Sequence, residues 1–366
     1  MVFYLDSFVL KTMILLCFAV TLIFRVYLSI ALCQIGTIKN PYSINFPGPK
    51  GTYCSHSLNI VHSENWSGSG SSIDTDFDDC TNMALVDNWN YWFRWRGMRT
   101  STDDIIVAYC ATRKAVQNVY ENYVDLGCGI GSTLLIIARN LEPHLSTGVE
   151  AQRISSALAM RTVAELPVNV PKIDILNMDI RDMISTHTLR SDNKEVPMSR
   201  FWFACDLITA NPPYLPPASG TYCKDQQKMH AHFELRGGVE DYCHVASRLL
   251  APNGRFFLSF WCKNNGDLRV TRAVEMAGLV IIEKTQIYLG KVTLESTPFP
   301  APPASPTLIV YEIVRQDMDS CHGSDIRQTS VINELDLRVP PNSSSGHSDA
   351  YIGIRKALKL APAPRR

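Results

Sequence analysis

The sequence predicts an α/β fold built on a doubly wound, mostly parallel sheet of seven strands, and three observations support it. Strand-like and helix-like segments alternate over residues 86–315, which is typical of repeated strand–helix–strand units. A glycine-rich turn follows the first strand of this region. The chain has 366 residues, of which 46% are hydrophobic and 19% charged, so it is long and apolar enough to bury a full core.

Apolar periodicity and turn residues place the elements of this region in order. An early helix covers residues 105–109, and Thr102 is its expected N-cap. A Pro-Asn-Gly turn at 252–254 separates a helix from the fifth strand. The predicted strands are 122–126, 146–150, 172–177, 205–210, 255–261, 280–287 and 307–314. The predicted helices between them are 132–139, 152–165, 239–250 and 268–277.

The flanking segments differ from this region in composition. Residues 13–24, MILLCFAVTLIF, are almost wholly apolar, so residues 1–33 are predicted to be a signal peptide or a membrane anchor. Residues 34–85 are rich in Ser, Gly, Asn and Asp and are predicted to be a low-complexity linker or a transit-like segment. Residues 316–366 are predicted to be a disordered basic tail. These flanks favour an organelle of plastid or mitochondrial kind or a membrane surface; without a targeting signal the protein would be cytoplasmic.

The overall charge excludes one way of binding nucleic acid. Lys and Arg total 35, as do Asp and Glu, so the net charge is zero and a polyanion can be held only by a local basic patch. No Cys or His spacing is of the zinc type among the 11 cysteines and 9 histidines, so no metal site is predicted. The candidates for an RNA-binding patch are Arg94, Arg96, Arg99, Lys224, Lys228 and Arg236 with Trp92, Trp95, Tyr222 and His230.

The first glycine-rich turn carries an acidic residue at the end of its strand. In VDLGCGIGS at 124–132, Asp125 ends the strand, and Gly127, Gly129 and Gly131 lead into the next helix. Glycine permits positive φ and lets a ligand approach the backbone closely. The spacing GxGxG differs from the dinucleotide-binding GxGxxG. Asp125 is therefore expected to hold the cationic amino-acid end of a ligand.

The next two strands also end in acidic residues. Glu150 follows the second strand, where a carboxylate can accept hydrogen bonds from ribose hydroxyls. Asp179 and Ile180 follow the third strand, and Asp179 can accept from an exocyclic amine. Because the carboxyl ends of neighbouring parallel strands share one edge of a sheet, these acids are expected to line one crevice.

The fourth strand ends in the most specific string of the chain, Asn211-Pro212-Pro213-Tyr214. Two consecutive prolines stiffen the backbone and remove its N–H donors. The Asn211 side-chain oxygen and the Pro212 carbonyl can accept the two hydrogens of a planar NH₂ group, while Tyr214 stacks on its plane. These contacts would orient the amine for reaction by positioning more than by acid–base chemistry.

Over roughly residues 90–314 the chain resembles the class I S-adenosylmethionine-dependent methyltransferases, whose fold is Rossmann-like. The segments GMRTSTD at 97–103 and HFELRGGVEDY at 232–242 are most similar to bacterial tRNA(Val) adenine-N6 methyltransferases. The resemblance implies S-adenosyl-L-methionine as cofactor. It implies cofactor-binding roles for Thr102, Asp103, Asp125, Gly127, Gly129, Gly131, Glu150, Asp179, Ile180 and Asn211, and catalytic roles for Asn211, Pro212, Pro213 and Tyr214.

The resemblance predicts methylation of the exocyclic amine (N6) of adenine in tRNA or another structured RNA, and two alternatives remain. NPPY is also typical of glutamine-amide methyltransferases that act on release factors. Those enzymes have a helical N-terminal domain, whereas this chain has a low-complexity segment there. The third possibility is a non-catalytic, membrane-anchored module that binds RNA or cofactor, against which the intact residues 211–214 count.

Overall fold

A computed structural model describes residues 79–114, 120–185, 188–191, 194–217, 219–290, 305–316, 331–340 and 343–362. The predicted signal or anchor at 1–33, and the predicted linker up to residue 78, lie outside the described residues. Among the described residues, no helix is both long and apolar enough to cross a membrane.

The described elements follow the alternation expected from the sequence. The strands are β1 Cys80–Val86, β2 Trp89–Arg94, β3 Asn122–Leu126, β4 Leu145–Val149, β5 Lys172–Leu176, β6 Thr188–Ser191, β7 Lys194–Pro197, β8 Cys205–Ala210, β9 Leu250–Trp261, β10 Leu279–Tyr288, β11 Leu308–Arg315 and β12 Val331–Asp336. The α-helices are α1 Thr102–Lys114, α2 Ser132–Leu141, α3 Arg153–Ala164, α4 Asp182–Ser185, α5 Gln226–His232, α6 Val239–Leu249, α7 Gly266–Met276 and α8 Asp349–Ala357.

The central sheet has eight described strands in the order β12-β10-β11-β9-β8-β3-β4-β5. Strands β5, β4, β3, β8 and β9 are parallel, and β11 runs antiparallel between β9 and β10. The chain first winds outward from β3 to β5 and then returns to place β8 on the other side of β3. The point where the winding direction changes therefore lies between β3 and β8, where a crevice forms outside the carboxyl ends of the strands.

Two hydrophobic cores cover the two faces of this sheet. The β1–β2 hairpin and helices α1, α2, α3 and α8 contribute to one core, and helices α4, α6 and α7 contribute to the other. Successive residues of β9 point to opposite faces, so Phe256 and Phe257 belong to different cores although both are buried. The prediction of a doubly wound α/β sheet is confirmed.

All seven predicted strands are present, and their bounds differ most in β9. This strand begins at Leu250, well before the predicted residue 255, and Leu250 pairs with Cys205 across an irregular register. The prediction that Pro-Asn-Gly at 252–254 forms a turn outside the strand is therefore wrong. Residues 251–254 instead lie in the register break between the paired Leu250 and Arg255, so the turn residues occupy an irregularity within the strand.

An eighth strand and a helix form within the predicted disordered tail, so that prediction is wrong for the described residues after 330. Strand β12 adds to the edge of the sheet, parallel to β10, with Val331 opposite Glu283. Helix α8 buries Ile354, and the Lys359 carbonyl accepts a hydrogen bond from the Asp87 amide at 2.8 Å. The Pro- and Ser-rich composition of this segment gives no local signal for the strand or the helix, since both are stabilised by contacts with distant parts of the chain.

The folded region also begins earlier than the predicted residue 86. Strands β1 and β2 form an antiparallel hairpin that starts at Cys80. Alternate residues of β2, Trp89, Tyr91 and Phe93, are buried against the core. The hairpin thus belongs to the folded region rather than to the linker.

Candidate active site

A cavity of about 430 Å³ lies at the carboxyl ends of β3, β4, β5 and β8. It brings together most of the residues singled out in the sequence: Asp103, Asp125, Gly127, Gly129, Glu150, Asp179, Ile180, Asn211, Pro212, Pro213 and Tyr214. Thr102 and Gly131 are not among its lining residues. Segments that are far apart in the sequence therefore form one site.

The glycine loop after β3 depends on backbone conformations that favour glycine. Gly127 and Gly129 have φ of 69° and 58°. A Cβ on Gly127 would lie 2.5 Å from the Tyr242 hydroxyl, so a larger residue is excluded on steric grounds as well. Gly131, with φ of 90°, precedes α2 as its N-cap residue. Gly131 therefore shapes the turn from outside the cavity.

Asp125 is the most buried acid of the cavity, with 3% of its surface exposed. Its Oδ1 accepts a hydrogen bond from the Thr209 hydroxyl at 2.7 Å. Its Oδ2 is buried and has no hydrogen-bond partner within the described part of the chain. Burial raises the pKa of Asp125 to about 8, although the Thr209 hydroxyl opposes that change. A ligand with a positively charged N–H group would satisfy the free oxygen.

Glu150 joins the end of β4 to the glycine loop. Its carboxylate accepts hydrogen bonds from the Gly129 amide at 2.9 Å and the Gln152 amide at 2.6 Å. Burial raises the pKa of Glu150, and these amides only partly oppose the increase. Each carboxylate oxygen retains a further lone pair, so Glu150 can still accept from ligand hydroxyls.

Asp179 lies in a different electrostatic environment. Arg181 donates to both of its carboxylate oxygens, at 2.8 and 2.7 Å. Burial would raise the pKa of Asp179, but the hydrogen bonds and the charge of Arg181 outweigh it and leave the pKa lowered. The neighbouring Ile180 is buried in the apolar core beside the site. Both predicted residues therefore reach the cavity, and the acid already has a cationic partner.

Asn211 is the centre of a hydrogen-bond network at the end of β8. Its Oδ1 accepts from the hydroxyls of Tyr214 at 2.5 Å and Ser259 at 2.7 Å, and its Nδ2 donates to Asp104 Oδ1 at 2.9 Å. The Tyr214 ring stacks on Trp261, with 5.6 Å between centroids and 21° between planes. Trp261 also lines the cavity. An amine could reach Asn211 Oδ1 only by replacing one of the two hydroxyls.

The segment before α1 contributes two acids and corrects the predicted helix cap. Ser101 caps α1: its Oγ accepts from the Asp104 amide at 3.1 Å, and its own amide donates to Asp104 Oδ2 at 2.8 Å. Thr102, the predicted cap, is the first helical residue. Asp103 Oδ2 lies 3.0 Å from the Tyr214 hydroxyl oxygen, whose single hydrogen is donated either to Asp103 or to Asn211. Burial, together with the charge of Asp104, raises the pKa of Asp103 to about 6.

Helix α5 forms another wall of the cavity through His230, Ala231 and His232. The buried Gln227 fixes this helix to two other segments, since its Nε2 donates to Ser155 Oγ at 3.0 Å and its Oε1 accepts from the Met98 amide at 3.1 Å. Sequence reasoning missed Gln227, and no pattern around it indicates such a role. The Ser-x-x-Asp capping pattern at 101–104 could have revealed Asp104.

The residues of the predicted basic patch differ in exposure, and two of them, Lys228 and His230, are half-buried on α5. Trp92 and Arg94 are used within the fold: the Trp92 indole donates to Glu165 at 2.7 Å, and Arg94 pairs with Asp79 and Asp225. Trp95, Arg96, Arg99, Tyr222, Lys224 and Arg236 are exposed. Within the ranges that the structure describes, no group of His, Cys, Asp and Glu side chains is arranged to hold a metal ion.

The most similar curated proteins share one name. The chain is 27% identical over 180 residues to the tRNA1(Val) (adenine(37)-N6)-methyltransferase of Porphyromonas gingivalis, a match that covers 48% of this chain and 64% of the relative. It is 25% identical over 197 residues to the protein of the same name from Haemophilus influenzae, covering 53% of this chain and 73% of the relative. The chain thus spans just under two thirds of the first relative.

Solved structures of similar shape are more distant in sequence. A predicted O-methyltransferase from Agrobacterium tumefaciens has a TM-score of 0.44 and 18% identity, covering 72% of this chain and 100% of that one. The M. jannaschii TYW2 protein in complex with AdoMet has a TM-score of 0.38 and 13% identity, covering 64% and 87%. No protein-family model matches the chain.

Proposed function

We propose that this protein is an S-adenosylmethionine-dependent methyltransferase that acts on the exocyclic amine (N6) of adenine in tRNA or another structured RNA. The observation that carries the proposal is the position of Asn211-Pro212-Pro213-Tyr214, which lines the same cavity as Asp125 and Glu150. The motif proposed to bind the amine and the acids proposed to bind the cofactor thus line one cavity. The shared name of the curated relatives supports adenine N6 as the acceptor.

The lining residues fit the proposed cofactor. The free Oδ2 of Asp125 would accept from its ammonium group, and Glu150 would accept from its ribose hydroxyls. Asp179 would contact its adenine amine, beside Arg181. When bound, S-adenosylmethionine supplies an electrophilic methyl group on a sulfonium centre.

On the acceptor side, Asn211 and the Pro212 carbonyl would hold the two hydrogens of the amine. For the amine to bind in this way, the Ser259 or the Tyr214 hydroxyl must give up its hydrogen bond to Asn211 Oδ1. Each hydroxyl has another partner to bond, since Tyr214 also reaches Asp103 and Ser259 also reaches Tyr214. The network therefore stays satisfied when the amine enters, and the contribution of these residues is positioning.

Methyl transfer by the full chain from labelled S-adenosylmethionine tests the proposal, with unmodified tRNA and a translation release factor offered separately. We expect label in N6-methyladenosine after nuclease digestion, and its loss in Asn211→Ala. Asn140→Ala is the matched control, because Asn140 is half-buried and donates to Ile136 and Leu358 carbonyls outside the cavity. Label in the release factor and none in RNA would overturn the RNA proposal in favour of glutamine methylation.

The apolar run at 13–24 supports a separate proposal, that it directs the protein to an organelle or a membrane. Its length matches the apolar region of a signal peptide and is short for a membrane span. Fusing residues 1–60 to a fluorescent protein tests this directly. A diffuse cytosolic signal would contradict the targeting proposal and leave the methyltransferase proposal unaffected.

A further inference from the structure

An exposed aromatic ring with a stacked guanidinium lies beside the candidate active site. Trp95 has 61% of its surface exposed, and the Arg99 guanidinium lies 4.6 Å from the centre of its ring. The exposed Arg96 adjoins them in sequence. We name these three residues the Trp95 platform. The exposed indole thus combines an apolar face with an adjacent cation.

The backbone under the platform is fixed. The Trp95 amide donates to the Asp79 carbonyl at 2.8 Å, and Arg99 Nη2 donates to the Trp95 carbonyl at 2.9 Å. Gly97 is packed so closely that a Cβ would lie 2.0 Å from Gln227 Oε1. The ring is therefore presented from a rigid turn, which lowers the entropic cost of binding to it.

The platform borders the cavity. Arg99 and Met98 line the cavity, and the Met98 amide donates to Gln227 Oε1 of helix α5. The Arg94–Asp225 ion pair at 2.9 Å brings the residues before α5 close to the hairpin, among them the exposed Lys224. Arg99 is thus a cation at the edge of the site, and Asp225 ties the segment that carries Lys224 to the hairpin.

We infer that the Trp95 platform stacks an unpaired nucleotide of the RNA substrate, adjacent to the adenine that enters the cavity, while Arg96 and Lys224 contact its phosphates. The inference rests on the proposed function and specifies how that substrate is held. A base fits because it stacks on an indole face, and its phosphates match the surrounding positive charge. The neutral net charge of the chain makes such a local patch necessary for RNA binding.

The test compares Trp95 with a matched pair at the amino-terminal ends of the parallel strands, away from the cavity. Phe203, 47% exposed, lies just before β8, and the Arg315 guanidinium is 4.7 Å from its ring centre. We would measure fluorescence anisotropy of the full chain with two labelled probes, an unmodified tRNA transcript and a fully paired RNA duplex. The variants are Trp95→Ala, Trp95→Phe and the control Phe203→Ala.

We expect Trp95→Ala to weaken tRNA binding about tenfold or more, because stacking contributes that much per base, and Trp95→Phe to retain most of the affinity. Duplex binding by Trp95→Ala should stay within about twofold, since paired bases do not expose their faces. Binding of S-adenosylhomocysteine should not change, which separates the platform from general misfolding.

Equal tRNA affinity of Trp95→Ala and wild type would contradict the stacking role of the Trp95 platform. The methylation proposal would be unaffected, because a separate assay tests it. An equal loss for tRNA and duplex would also overturn the stacking role. If the wild-type protein methylates protein and not RNA, the proposed function is refuted. That outcome is read from the wild type alone, without the Trp95 variants.

Discussion

The two halves of the cavity are built in different ways. The half proposed to bind the cofactor, called the cofactor half, comprises the glycine loop, Asp125 near the end of β3, Glu150 directly after β4 and Asp179 three residues after β5. The acceptor half, comprising Asn211, Tyr214, Asp103, Asp104 and Ser259, is a network of side chains from three segments that are distant in sequence. The first half is fixed by local backbone geometry, and the second by tertiary contacts.

This difference also appears in the electrostatics. Asp125 Oδ2 is buried and has no hydrogen-bond partner among the described residues, so it is available to a cationic ligand. In the acceptor half, Asn211 has partners for both its oxygen and its amide nitrogen. The cofactor half is therefore expected to govern binding, and the acceptor half to govern the rate of transfer. Substitutions in the two halves should separate these effects.

The largest expected effect is on the acceptor half. Asn211→Ala removes the proposed amine acceptor, and we expect kcat to fall by at least about a hundredfold through lost positioning. Cofactor affinity should change by less than about threefold, because Asp125 and Glu150 remain in place. Single-turnover methylation and calorimetric titration of S-adenosylhomocysteine would measure both. A loss confined to cofactor binding would contradict the division between the halves.

The next effect lies in the cofactor half. Asp125→Asn removes the negative charge at the free oxygen, and we expect cofactor affinity to fall about 10- to 100-fold, the range for hydrogen bonds to charged groups. In the ligand-free protein, the same substitution is expected to raise thermal stability rather than to lower it. The variant should gain stability relative to wild type as the pH rises.

The sign of this pH effect follows from the raised pKa. Folded Asp125 has a pKa of about 8, against 3.8 for its ordinary value. The folded protein therefore keeps a proton that the unfolded chain has released, and this contribution to stability is lost as pH rises from about 4 through about 8. The amide introduced by Asp125→Asn does not titrate, so the variant lacks this loss. A constant difference in melting temperature across this range would contradict the buried, unpaired state of Asp125.

A smaller effect on kcat is expected at Tyr214, within the hydrogen-bond network around Asn211. Tyr214→Phe keeps the ring on Trp261 but deletes the hydroxyl that links Asp103 to Asn211. We expect kcat to fall about threefold to tenfold, the value of one neutral hydrogen bond, with little change in the KM for cofactor. A loss as large as that of Asn211→Ala would mean that the hydroxyl itself is essential to the reaction.

The smallest effect concerns the cap of α1, which carries Asp103 and Asp104. Ser101→Ala should lower the free energy of unfolding by about 1 kcal/mol, as expected for a lost N-cap. Thr102→Ala is the control and should be close to neutral, because Thr102 is already helical. Denaturant titration would measure both. A larger loss in the free energy of unfolding for Thr102→Ala than for Ser101→Ala would identify Thr102 as the N-cap.

The cofactor half was largely predictable from the sequence. Asp125, Glu150 and Asp179 each lie at or near the carboxyl end of a strand, and the parallel order of the strands is enough to bring them together. The partners of Asn211 were not predictable, because Asp104 and Ser259 approach it only when α1 and β9 pack beside β8. Gln227 was missed for the same reason, since a single buried glutamine leaves no periodic signal.

The sequence by itself determined the strand–helix alternation, the glycine loop and the acids at the strand ends, because periodicity and turn chemistry act over a few residues. Only the tertiary structure decided that the chain after residue 330 adds a strand and a helix, that Ser101 rather than Thr102 caps α1, and that Trp95 is left exposed while Trp92 is not. These outcomes depend on burial and pairing between segments far apart in the chain, and such contacts have no local pattern.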